Sequence, residues 1–131
     1  MHSVTIHVRT YECDAYGHVN NAVYLNYLEY ARDRWIASHD LDYSAIVSRG
    51  LGIFVAEAKL IYQAPAFPGQ ALTITTIANE SGAAWVTLKQ SIIGPEGRSI
   101  LEAQMKLVWV GSTGRPTRIP PDWKAKLFKV T

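Results

Sequence analysis

Cysteine occurs once in this chain, at position 13. A disulfide within the chain is excluded, and a reducing compartment such as the cytoplasm is the natural expectation. Long apolar runs are also missing. The most apolar stretch, Ala22 to Ala37, carries Glu29, Arg32, Asp33 and Arg34, so it does not read as a membrane span and no membrane partner is expected. The opening Met1-His2-Ser3-Val4-Thr5 passes straight into an alternating pattern, so no targeting segment is expected. His2, His7 and His39 have no partners at ligand spacing, so no metal site is expected. Repeats, low-complexity tracts and linkers are lacking as well.

What remains is an ordinary globular composition, 48% hydrophobic and 18% charged over 131 residues. That length suits one domain with a proper core. The formal net charge of +2 is unevenly spread. Residues 1–114 hold eight Lys/Arg against ten Asp/Glu. The last seventeen residues hold Arg115, Arg118, Lys124, Lys126 and Lys129 against Asp122 alone. A basic tail on a slightly acidic body suits a polyanionic ligand such as a nucleotide phosphate, or is simply a solvated terminal helix. No aromatic-rich basic strip accompanies it, so nucleic acid is not an expected partner.

Periodicity supplies the elements. Val4 to Arg9 alternates as a first strand, and residues 10–20 form a loop. Tyr24, Leu28, Ala31 and Trp35 then fall at helical spacing, flanked by Val23, Tyr27 and Tyr30, with Asn26, Glu29 and Asp33 opposite. So wide an apolar face predicts a helix covered on most sides. A short helix follows over Tyr43 to Arg49, ended by Gly50. Strands are expected over Ile53–Tyr62, Ala71–Ala78, Trp85–Ile93 and Ser99–Val110, and Pro120-Pro121 opens a terminal helix. Strand, long helix, then four antiparallel strands in a meander make an α+β domain, with one sheet wrapped around one dominant helix.

The chemistry concentrates in Tyr11-Glu12-Cys13-Asp14-Ala15-Tyr16-Gly17-His18-Val19-Asn20-Asn21. Asp14 is a lone carboxylate about one turn from the N–H groups that open the long helix. Acyl transfer uses that pairing: a base or nucleophile attacks a carbonyl, and a helix N-terminus holds the oxyanion. The plainer alternative is an Asx-turn at Asp14, with Asn20 or Asn21 capping the helix. Cys13 with His18 as its base would be another nucleophile. If strand alternation continues into the loop, Cys13 and Asp14 point opposite ways, and the cysteine is a small buried filler.

The run Tyr11-x-x-Asp14-x-x-Gly17-His18-Val19-Asn20-Asn21-x-x-Tyr24-x-x-Tyr27-x-Glu29-x-x-Arg32 resembles the hot-dog-fold acyl-CoA thioesterases of the 4-hydroxybenzoyl-CoA thioesterase-like group. The later run Ala58 to Leu72 is similar too, and the likeness spans nearly the whole chain. The resemblance implies a hot-dog fold and hydrolysis of an acyl-CoA or acyl-carrier-protein thioester. It implies Asp14 as the catalytic carboxylate, attacking directly or activating water, and the Asn21 backbone N–H as oxyanion donor. Gly17 would let the loop approach the ligand, while His18 and Asn20 shape the turn. Tyr16, Val19, Asn20, Tyr24, Glu57 and Lys89 are the further candidates for substrate contact. Family members form homodimers whose sheets join, commonly paired again into tetramers. A thioester carbonyl is electrophilic and its thiol leaves well, so no cofactor is required.

Bland alternatives accompany several residues. Glu57 and Lys59 share a strand face between Val55 and Ile61 and read by default as an exposed ion pair. Glu29 and Arg32 read as an i, i+3 surface pair. Two other functions stay open: an acyl-thioester hydratase or dehydratase of the same fold, and a non-catalytic acyl-thioester binder.

Overall fold

The computed structural model describes residues 1–128. In chain order the elements are β1 (His2–His7), α1 (Val23–Ala37), α2 (Tyr43–Ser48), β2 (Gly52–Tyr62), β3 (Ala71–Ser81), β4 (Trp85–Ile93), β5 (Ser99–Val110) and α3 (Pro121–Leu127). The five strands form one antiparallel sheet in the order β1-β3-β4-β5-β2. The sheet is α+β in setting, with α1 laid against one face.

That order corrects the expected meander. Only β3, β4 and β5 follow one another as neighbours; β2 lies at the far edge beside β5, and β1 takes the place next to β3. The chain between Tyr62 and Ala71 therefore crosses the end of the sheet. Pro65, Pro68 and Gly69 keep this crossing irregular, and Gly69 adopts φ +83°. Ala66 within it is fully buried. Local alternation cannot reveal a crossover of this kind, because each strand reads the same whichever neighbour it takes.

One face of the sheet presents Leu72 and Ile74 of β3, Val86, Leu88 and Ile92 of β4, and Leu101, Ala103, Met105, Leu107 and Trp109 of β5, all buried. Helix α1 covers this face with Tyr24, Leu28, Ala31 and Trp35. Its first bonds come from Asn20, whose carbonyl accepts the Val23 N–H at 2.9 Å while its side chain accepts the Ala22 N–H at 2.9 Å. The Ser38 hydroxyl donates to the Trp35 carbonyl, and Asp40 turns the chain away at φ +58°. Cover is less complete than the apolar spacing suggests: Leu25 and Tyr30 stay exposed in the single chain.

Arg32 departs from its expected surface pairing with Glu29. It is 7% exposed and donates to Gln90 Oε1 at 3.4 Å. Gln90 in turn donates to the Leu28 carbonyl and to the Thr76 hydroxyl. This polar line crosses the helix–sheet interface and fixes how α1 sits over β3 and β4. Burial pulls the Arg32 guanidinium below its ordinary value.

Strand β2 carries a bulge between Val55 and Glu57. The extra residue flips the side-chain sequence, so Val55, paired with Leu107, faces the helix side while Glu57, Lys59 and Ile61 face outward. The expected common face thus holds for the last three residues and fails for Val55. At the opposite end of the molecule α3 seats Trp123 against Trp109 with ring centroids 6.5 Å apart. An Arg49–Asp122 ion pair at 3.0 Å joins α3 to the end of α2.

Candidate functional site

The loop between β1 and α1 is braced on both sides. A short 3-10 turn at Thr10–Glu12 puts the Glu12 carboxylate within reach of the Arg9 N–H (2.8 Å), the Arg9 guanidinium (3.3 Å) and the Tyr27 hydroxyl (2.9 Å). The same bond, with burial acting first, pushes the Tyr27 phenol above its usual value. Glu12 thereby ties the loop to the second turn of α1. Sequence reading passed over this role, although Glu12 and Tyr27 both lie in the run that was singled out.

Beyond Glu12 the chain makes a tight excursion. The Asp14 N–H donates to the His18 carbonyl at 2.8 Å, and the Gly17 N–H donates back to the Asp14 carbonyl at 3.0 Å. Gly17 sits at φ +83°, where a Cβ would be strained although it would meet nothing within 4 Å. Its conformation, not crowding, is what calls for glycine. Val19 and Asn20 then anchor the return, donating to the carbonyls of Ala66 and Glu12 respectively, each at 3.0 Å.

Asp14 accepts the Tyr16 N–H on Oδ1 at 2.9 Å, so the Asx-turn is present. Among the described residues its other oxygen has no hydrogen-bond partner, and neither ion pair of the structure involves it. The carboxylate lines a crevice of about 480 Å³ with His18, Val19, Asn21, Tyr24, Tyr62 and the crossing segment Gln63–Pro65. Cys13, one residue earlier, packs against the core instead, and burial raises its thiol above the ordinary value. That is a filler's environment, not a nucleophile's.

Across the crevice stands the start of α1. In the run Val19 to Val23 every N–H has an acceptor among the described residues except that of Asn21. The reason lies in the preceding carbonyl, which is held by Val23. In a trans peptide the N–H points opposite to the carbonyl, so the Asn21 N–H is turned off the end of the helix. From the other side the Tyr62 hydroxyl donates to the Asn21 carbonyl at 2.9 Å. The Tyr62 ring also meets Tyr24 at 5.6 Å, and Tyr24 meets Tyr27 at 5.9 Å. Burial raises the Tyr24 phenol.

The structure brings together Asp14, His18, Val19, Asn21 and Tyr24. His18 is clasped by aromatic neighbours, Tyr16 at 6.2 Å and Phe67 at 5.7 Å. Val19 is a buried core residue that also forms part of the crevice wall. Tyr16 is exposed beside the crevice, and the Asn20 side chain is spent on the helix start. Glu57 and Lys89 are not brought to this site. Both lie on the outer face of the sheet, Glu57 near Lys106 and Thr87, Lys89 near Lys59 and Gln104. Tyr62 and Gln63–Pro65 were missed because the meander placed β2 elsewhere.

The family model of the thioesterase-like superfamily matches residues 8–127. The chain belongs to that superfamily. Its sequence is 30% identical over 126 residues to the chloroplastic acyl-acyl carrier protein thioesterase ATL3 of Arabidopsis thaliana, an alignment covering 95% of this chain and 66% of that protein. This chain thus spans about two thirds of that plant relative's length. With the long-chain acyl-CoA thioesterase FadM of Escherichia coli it shares 32% identity over 106 residues, 80% of either chain. In fold it matches Slr0204, a 1,4-dihydroxy-2-naphthoyl-CoA thioesterase from Synechocystis, with a TM-score of 0.89 at 20% identity over 95% of this chain and 93% of that one. The hot-dog architecture expected from the loop and helix motif is the one observed. Among the described residues no helix is long and apolar enough to cross a membrane, and no cluster of three metal-ligating side chains occurs.

Proposed function

We propose that this protein hydrolyses an acyl-CoA or acyl-carrier-protein thioester, with Asp14 and the Asn21 N–H as its reacting groups. The observation that carries the reading is their complementarity across one crevice: a carboxylate with an unengaged oxygen and the Asn21 N–H, which has no acceptor among the described residues, line the same space. A thioester carbonyl seated between them would direct its oxygen at Asn21. As the carbonyl carbon becomes tetrahedral, charge develops on that oxygen, and the helix end stabilises it.

Two routes use the same geometry. Asp14 can remove a proton from water whose oxygen then attacks the carbonyl carbon; collapse breaks the C–S bond, and the thiolate takes up the proton. Alternatively the carboxylate attacks, expels the thiolate as an acyl-aspartyl anhydride forms, and water regenerates the acid. Neither needs a cofactor. Homologues named as thioesterases of acyl-carrier protein and acyl-CoA support the substrate class. The single cysteine fits a reducing, cytoplasmic setting.

The working form is a homodimer joined edge to edge through β2. This strand is eleven residues long and has no neighbour on its outer side among the described residues. Phe54, Ile61 and Tyr62 along it are 61%, 51% and 50% exposed. An uncovered edge of that length and apolarity invites strand pairing. An antiparallel register with Ala58 on the two-fold axis sets Glu57 of each chain opposite Lys59 of the other, which favours a second copy as the partner. Two such dimers would make the tetramer that the resemblance implies.

A hydrolysis screen tests the activity. Acyl-CoAs of graded length and one aromatic CoA ester are offered to the purified protein, and free thiol is followed. Release of thiol from at least one substrate is expected. Hydration of an enoyl-CoA, or saturable binding without turnover, would replace this reading with one of its alternatives.

A further inference from the structure

Alternation along β1 turns His2, Val4 and Ile6 toward the core side of the sheet. The first of these positions carries an imidazole where the pattern calls for an apolar side chain. His39, just past the end of α1, sets its ring edge-on to Trp35 at 5.6 Å. Both histidines line a cavity of about 240 Å³ with Trp35, Thr76, Leu127 and Phe128. This cavity lies toward the opposite end of α1 from the crevice. Trp35 comes eleven residues after Tyr24 of the crevice, about 17 Å along the helix axis. Lys129 of the basic tail, one residue past Phe128, lies outside the described residues.

The fold does not use up the polar groups of this cavity. His2 Nδ1 is buried and has no hydrogen-bond partner among the described residues, a state that costs stability unless something else satisfies it. The Thr76 hydroxyl accepts from Gln90 at 3.0 Å and keeps its own proton to donate. Arg34, next to Trp35, is exposed and joins no ion pair among the described residues. It acts on His2, helping burial to hold that ring below its ordinary value. Asp40 acts on His39 in the opposite sense, as the smallest of the influences there. A metal ion fits these groups poorly. Two imidazoles with no third ligating side chain among the described residues, beside an unpaired arginine, make an incomplete and positive donor set. An anion fits them better. Trp35, Leu127 and Phe128 make the rest of the wall apolar, which calls for a hydrocarbon body on that anion. The space is that of roughly eight water-sized groups. We propose that this cavity binds a small carboxylic acid, with the carboxylate held by His2, His39 and Arg34 and the hydrocarbon against Trp35, Leu127 and Phe128. The site is separate from the Asp14 crevice, and it stands whether or not the protein hydrolyses thioesters.

Hexanoate is of that size and serves as the probe, with hexylamine as the cationic control. Calorimetric titration of the parent should show saturable binding of hexanoate and none of hexylamine. Imidazole resonances locate the site: those of His2 and His39 should shift as hexanoate saturates. The double variant Arg34→Ser/His39→Asn should weaken hexanoate binding roughly tenfold or more with an unchanged circular dichroism spectrum. Should that pair disturb the fold, Arg34→Ser alone, at an exposed position, should still weaken it by roughly threefold. Hexylamine binding as tightly as hexanoate would overturn the proposal, and so would a hexanoate titration that never saturates. Shifts confined to His18 would put the acid in the crevice and end the proposal too. Equal hexanoate affinity in the parent and a folded variant would do the same.

Discussion

In the proposed mechanism Asn21 acts through its main chain, and two substitutions at that one position test it. Asn21→Ala keeps the N–H and is expected to retain parent-like kcat. Asn21→Pro removes the N–H at a position before the helix, where no backbone hydrogen bond of that N–H is lost. It should lower kcat by roughly 10²–10³ with an unchanged circular dichroism spectrum. Equal losses in both would assign the effect to the side chain and remove the oxyanion role. Asp14, His18 and Asn21 were legible as neighbours at one crevice, because a loop carboxylate and a helix start lie close together in sequence and the family resemblance marks that run, while their chemical roles are proposals. Glu57 and Lys89 were not, since their placement depends on which sheet face they occupy and on how far the strand lies from the loop. The bulge at Val55–Glu57, which sets that face for β2, leaves no trace in the alternation.

Among the elements, β1 and the end of α1 share a titrating contact. His2 and His39 line a cavity of about 240 Å³ with Trp35, Thr76, Leu127 and Phe128. The His39 ring meets Trp35 at 5.6 Å. Both imidazoles are held below the ordinary 6.5, chiefly by burial, with Arg34 adding to the effect on His2 and His2 to that on His39. A depressed histidine binds fewer protons in the fold than in the unfolded chain. Its neutral form therefore costs nothing above pH 6.5, and stability falls as the pH drops below that value. The loss grows until the folded-state values are passed. Melting temperatures at pH 7.5 and 5.5 should differ more for the parent than for His39→Asn; an equal difference would show that this contact does not titrate. Element boundaries came within about two residues for most of the chain because period and punctuation are local. Neighbour order did not, and with it went the crossing segment that walls the crevice.

At the scale of the whole molecule the proposed dimer rests on the β2 edge, which has no neighbour strand on its outer side among the described residues. Sedimentation should show a dimer. Lys59→Glu would place acidic groups opposite Glu57 across the axis, raising the dimer dissociation constant roughly tenfold, and adding Glu57→Lys should restore it. A parent that sediments as a monomer at every concentration would contradict the edge pairing. Leu25 and Tyr30 on α1 are about half exposed in the single chain. The central claim, though, belongs to one carboxylate. The most direct measurement is kcat for thiol release by Asp14→Ala on the acyl-CoA that the parent turns over fastest. The predicted result is a fall of roughly 10²–10⁴ in a protein of unchanged fold and substrate affinity; a kcat equal to the parent's would contradict the mechanism.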